Sequence, residues 1–243
     1  MQNSLVVLTL PGAWSCRAEF IAALNEHAPD LCLAKNMLID QRTQEIVHIA
    51  FRKGCSKKIV NDFRWSGLHW QDTNEMRAVE RHTSHVVLKG VGGSVERMTH
   101  VMTVASAVVR SGALGVHVEH VGIAHAPQAW IDLSNDGLEG IHRAFVITLD
   151  GPVTGAYSFG MHNFGLKEVS VPAGAPNRTR VVGILTRHLL VKGACIVGGQ
   201  TISIGEKSNR YRFCDVQTVA SPDGSMLQHQ VGTWQLVRAD VRH

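Results

Sequence analysis

The sequence predicts an α+β fold with mixed and antiparallel sheets, split-βαβ units and helices packed on the sheet faces. Three observations carry that reading. Residues 83–121 read as strand, glycine turn, long helix, strand. The order strand, Gly/Pro turn, helix occurs at 5–27, 84–111 and 168–192, as a duplication into two similar subdomains would give, or as any α+β chain would. Beyond residue 200 the chain reads only as strands and turns.

The central unit is the best defined. Ser94 is a good N-cap and Glu96 places a negative charge in the first turn. Met98, Val101, Met102, Ala105, Val108 and Val109 then share one helical face. Val104 and Ala107 lie off that stripe, so burial on more than one side is expected. Gly112 supplies the stop. SHVVLKG before the helix and ALGVHVEHV after it are strands, so the unit is a βαβ crossover or half of a split-βαβ sheet.

Taken in order, Leu5 to Leu10 is a buried-type strand, Pro11-Gly12 a turn, and about Ser15 to His27 a helix with Phe20, Ile21 and Leu24 inward. Leu31 to Ile39 and Glu45 to Phe51 read as a hairpin around Asp40–Gln44. Lys53 to Gln71 has no clean period and reads as a loop plus a short helix. Thr73 caps a helix to about Arg81. Ala126-Pro127 starts a short helix that Asn135-Asp136-Gly137 breaks. Arg143 to Leu149 pairs with Val153 to Phe159, and Phe164 to Val171 is a further strand. Pro176 fits the start of a helix ended by Gly193. Three strands follow at 201–204, 210–220 and 228–237, with turns at Gly205 and Pro222-Asp223-Gly224. The whole of 1–243 reads as a single α+β domain, with 125–150 the candidate subdomain boundary because its elements are short.

Composition narrows the function classes. Hydrophobic residues are 44% and charged residues 18%, enough apolar material for a sizeable core. The formal net charge is +4, with no dense basic run. Direct nucleic-acid binding is therefore not expected, and its best location would be Arg178, Arg180, Arg187 and Lys192. The five cysteines lack CxxC spacing, so zinc-ribbon and thioredoxin readings fail and buried or neutral thiols are expected. No Lys or Arg precedes the apolar run at 5–10, which argues against a signal peptide, and no stretch has the length of a membrane span. The expected location is the cytoplasm, with no membrane partner.

Each catalytic pattern has a missing part. Gly90-Val91-Gly92-Gly93 opens a helix, where a phosphate could sit, but the third glycine of GxGxxG is replaced by Val95 and no P-loop lysine follows. His117 and Glu119 share a strand face while His120 lies on the other, and His82 and His85 point apart if both are in a strand. Ser158 lies outside any GxSxG elbow. No catalytic, cofactor or metal-binding residues are therefore assigned, and the chain is expected not to be an enzyme. The alternative is a metal-dependent hydrolase using His117, Glu119 and neighbouring histidines. Trp65 and Trp70 beside His69, and Trp130 near His120 and His125, are of the types that anchor protein interfaces, and these six are the candidate partner-binding residues.

HTSHVVLKG, the helix after it, SGALGVHVEHV, FGLKEVSV and GGQTISIGE together resemble a bacterial domain-of-unknown-function family over about residues 5–210. That family implies no catalytic residues. The build is also similar to immunity proteins encoded beside toxins of type VI secretion and polymorphic toxin systems. This similarity implies a cytoplasmic protein whose partner is a cognate toxin, with nucleases among the candidates.

Overall fold

The structure is a computed structural model that describes residues 4–204, 209–220 and 226–239. Among these residues seven α-helices accompany two mostly antiparallel sheets, an α+β fold. The chain divides into two compact units, residues 3–145 and 146–243. The turns expected at Gly205 and Pro222-Asp223-Gly224 lie outside the described residues.

Residues 3–145 build a seven-stranded sheet around β1, Leu5–Gly12. On one side β1 pairs antiparallel with β5, Ser84–Val91, and on the other with β6, Val116–Val118. Strands β5 and β6 are therefore parallel to each other with β1 between them, and α4, Val95–Arg110, joins them as a split βαβ. Leu8 faces Leu88 on one side and Val118 on the other, and all three are fully buried. Helix α4 packs on β1 and β5, with Met98, Val101, Met102, Ala105, Val108 and Val109 buried. Val104 and Ala107 are buried too, as the off-stripe positions implied. Trp14 Nε1 donates to the carbonyl of Ser111 across 2.7 Å, which satisfies an orphan group at the end of α4.

The rest of this unit departs from the pattern reading in three places. The expected hairpin at 31–51 is a three-stranded meander: β2, Leu31–Ala34, β3, Met37–Asp40, and β4, Ile46–Lys53. Lys35, at φ 55°, takes the left-handed conformation that reverses the chain inside the apolar run. The 53–71 stretch holds the expected short helix, α2, Lys57–Trp65, capped by the Ser56 hydroxyl, and adds a 3-10 turn at Leu68–Trp70. A short strand β7, Ile123–His125, follows β6. Arg143 to Phe145, expected to open a strand, are instead the end of a helix, and the strand begins at Ile147.

That helix is α6, Gly137–Phe145, packed on α5, Pro127–Asn135. Gly137, at φ 56°, turns the chain between the two helices. Ile141, Ala144 and Phe145 form its buried stripe. A Cβ on Gly140 would lie 1.8 Å from the Leu133 carbonyl oxygen, so glycine lets the two helices approach. Helices α1, Arg17–His27, and α3, Asn74–Glu80, complete the unit.

Residues 146–243 form a six-stranded sheet in the order β11-β12-β13-β10-β9-β8: Thr201–Ile204, Asn209–Ala220, Met226–Arg238, Glu168–Val171, Gly155–Phe159 and Ile147–Gly151. Only the β10–β13 pairing is parallel. Helix α7, Arg178–Val191, covers β8, β9 and β10 with Val181, Val182, Leu185, Leu189 and Leu190. It starts two residues after Pro176, at the left-handed cap Asn177. The strand expected from Phe164 shrinks to β10, because Gly160 at φ 122° and Gly165 at φ 72° bracket a 3-10 turn, Met161–Phe164.

Candidate functional site

Helix α2 carries the most exposed aromatic surface of residues 3–145. Its amphipathic pattern buries Ile59 and Phe63 and turns Lys57, Lys58, Arg64 and Trp65 outward. The Trp65 indole is 88% exposed. Lys58 pairs with Asp62 across 2.7 Å, and this partner first of all holds its ammonium above the ordinary lysine value. Arg64 pairs with Glu80 of α3. His69 is exposed beside this helix end, its ring 5.6 Å from that of Trp70.

The six candidate partner-binding residues separate by burial. Trp65 and His69 lie on the surface. Trp70 is 2% exposed and packs edge-on against Phe63, 5.1 Å away, with Ile59, Met76, Val79 and Ala124 around them. Trp130 is fully buried, donates from Nε1 to Ser106 Oγ across 3.1 Å, and meets Phe145 edge-on. These two tryptophans present no surface to a partner. Spacing along the chain could not separate them from Trp65. His125 is half-buried against Trp130 and bonds the Ala144 carbonyl through Nε2, while His120 is half-buried in the turn after β6. Burial, the largest influence, holds the His125 imidazole below the ordinary histidine value.

The histidine and carboxylate clusters resolve into structural contacts. His82 donates from Nδ1 to the Val79 carbonyl across 2.6 Å and accepts the Ser56 N–H at Nε2, so both ring nitrogens serve the backbone. It precedes β5 rather than lying in it, so the condition under which it would point away from His85 is not met, and the two rings sit 6.2 Å apart. His117 faces α2, 5.9 Å from the Phe63 ring, and burial depresses its pKa against the pull of Asp62 and Glu119. Glu119 accepts a hydrogen bond from Thr9 Oγ1. Among the described residues no group of three or more His, Cys, Asp or Glu is arranged to hold a metal ion. Of the buried or neutral thiols expected, Cys16, Cys32, Cys55 and Cys195 are exposed, so burial does not account for these four.

The glycine turn borders a groove of about 320 Å³ lined by Ile46, Val47, Val91 and Val101, with Glu45, Arg97 and His100 as its polar groups. His100 Nδ1 lies 3.1 Å from the Glu45 carboxylate. Glu45, Glu96 and Asp40 border the adjoining hollow, and their charge opposes a phosphate at this helix start.

In residues 146–243 the most constrained polar group is one the catalytic patterns passed over. Glu168 is 1% exposed. Its Oε1 accepts from the Gly160 N–H, the His162 N–H and His162 Nδ1 at 3.0, 3.1 and 2.8 Å. Its Oε2 accepts from the Ser158 hydroxyl at 2.5 Å, and that hydroxyl in turn accepts the Val169 N–H. The Ser158 proton is thus committed to the carboxylate rather than to the histidine, and Ser158 is fully buried. This Ser–Glu–His set lacks the serine-to-imidazole bond of a nucleophile relay and instead pins the Gly160–Gly165 turn to the sheet. The sequence signal for it is Phe164-Gly165-x-x-Glu168, two residues that shape the turn followed by its acceptor.

No helix among the described residues is long and apolar enough to cross a membrane. No family model, curated protein or solved structure matches the chain.

Proposed function

We propose that this chain is a binding protein that docks a partner protein through the Trp65 surface, and that it is an immunity protein neutralising a cognate antibacterial toxin in the cytoplasm. The observation that carries the binding reading is Trp65 itself, 88% exposed at the end of an amphipathic helix whose Ile59 and Phe63 are buried. A large aromatic side chain removes roughly 150–250 Å² from water when buried. An indole left in solvent, next to exposed Arg64 and four residues before exposed His69, has the chemistry of an interface anchor with polar neighbours. Support for the toxin as partner comes from the similarity in build to immunity proteins, and a nuclease is one candidate.

The test is co-expression with each adjacent gene product. The expected result is a neighbour that arrests growth alone, is tolerated alongside the wild-type chain, co-purifies with it, and becomes toxic again with Trp65→Ala. If no neighbour is toxic and none co-purifies, the immunity reading fails. If protection survives Trp65→Ala unchanged, the surface has been misplaced.

A further inference from the structure

From Val169 to Gly205 the sequence contains no Asp or Glu. The stretch carries four of the chain's 24 Lys and Arg, namely Arg178, Arg180, Arg187 and Lys192, as many as the whole chain's net excess, 24 − 20. Helix α7 sorts them. Arg178 is committed within its own unit, donating to the Asp150 carboxylate from Nε across 2.5 Å and to the Ala173 carbonyl. Arg180, Arg187, His188 and Lys192 all fall on the exposed face, at helical spacing along one strip. A hollow of about 410 Å³ opens there, bounded by Arg180, Gly183, Ile184, Arg187, His188 and Lys192.

Two residues at its centre point to the kind of partner. Ile184, 41% exposed, gives the basic strip an apolar middle. Gly183 sits inside the helix where a Cβ would meet nothing within 4 Å. Glycine in an exposed helix interior costs about 1 kcal/mol relative to alanine, and no packing among the described residues calls for it. What a glycine adds on a helix surface is room for another backbone to come close.

We infer that the outer face of α7 is a docking surface for an acidic amphipathic segment of a partner protein, whose backbone passes over Gly183. Its apolar side chain meets Ile184, and its carboxylates meet Arg180, Arg187 and Lys192. A nucleic acid would be served by aromatic side chains among the cations, on which bases could stack, and the strip offers Ile184 instead. The inference stands apart from the Trp65 reading and does not require it.

The probe is a synthetic amphipathic helix with leucine on one face and glutamate on the other. Its binding to the full chain is followed by fluorescence anisotropy, beside a Lys-for-Glu control peptide and a single-stranded oligonucleotide. The acidic peptide should bind at low salt, weaken as salt rises, and lose roughly tenfold in affinity with Arg180→Glu combined with Lys192→Glu. Gly183→Leu should leave the melting temperature unchanged or higher while reducing peptide affinity by a similar factor. That variant separates a blocked surface from a damaged fold. The inference is overturned if the acidic peptide fails to bind at low salt. Equal binding by both variants overturns it too, as does an oligonucleotide that binds more tightly through the same residues.

Discussion

His162 donates from Nδ1 to the buried carboxylate of Glu168 across 2.8 Å, and the same oxygen accepts that histidine's own backbone N–H. One side chain thus fixes both the ring and the turn that carries it. Glu168→Ala should leave the Ser158 hydroxyl and the Gly160 and His162 N–H groups without their acceptor. A loss of about 3–5 kcal/mol is expected, as for a broken buried charge network. Urea denaturation of the purified chain measures it. A midpoint close to wild type would show that the carboxylate is not holding the turn.

Two tryptophans five residues apart should behave as opposites. Trp70→Ala removes a ring packed against Phe63, Met76 and Val79 and should cost about 3–5 kcal/mol. Trp65→Ala should stay within about 0.5 kcal/mol, since its indole is exposed. Thermal melts followed by circular dichroism compare the two, and equal losses would contradict the burial assignment. Acrylamide should also quench a fluorescence component that disappears in Trp65→Phe.

Acid should weaken residues 3–145 through three buried or half-buried histidines. Burial, the first cause in each case, holds His85, His117 and His125 below the ordinary histidine value. The unfolded chain takes up protons as pH falls through about 6.5, before the folded chain does. The stability linked to these neutral rings is therefore complete above about pH 6.5 and is lost as pH falls toward the lower folded values. Denaturation midpoints at about pH 7.5 and about pH 5.5 should differ. The difference should shrink in His117→Leu and in His125→Gln, and an unchanged difference in both would exclude these rings as its source.

Gly140→Ala should drive a methyl group into the Leu133 carbonyl, 1.8 Å from where the Cβ would stand. Separating α5 from α6 should cost about 1–3 kcal/mol, in the range of an overpacked core. A melting temperature equal to or above wild type would show that the helices can part freely.

Legibility in the sequence followed the length and regularity of each pattern. Helix α4 could be read residue by residue, because sixteen residues with one cap and one stripe leave little choice. The α+β class and the split βαβ followed from it. Helix α6 was hidden, since Gly137 and Gly140 look like breakers until the backbone of α5 is seen to require them. Lys35 reversed a strand with no Gly, Pro or Asp as a signal. At the candidate sites the residue types were legible and their burial was not. Trp65, Trp70 and Trp130 read alike in one dimension, and only packing separates the one that meets solvent. Glu168 was legible as part of a motif, but its four donors converge only when the 160–165 turn is formed.

The position of β1 sets a condition on how the larger unit is made. Its partners are β5, which begins at Ser84, and β6, which begins at Val116. During synthesis at about 5–20 residues per second, an apolar ribbon made well ahead of both its partners waits several seconds with both hydrogen-bonding edges bare. Contacts of such long sequence separation slow folding, and bare edges recruit other strands. The central strand that organises the finished sheet is thus, on the ribosome, the segment most in need of a chaperone.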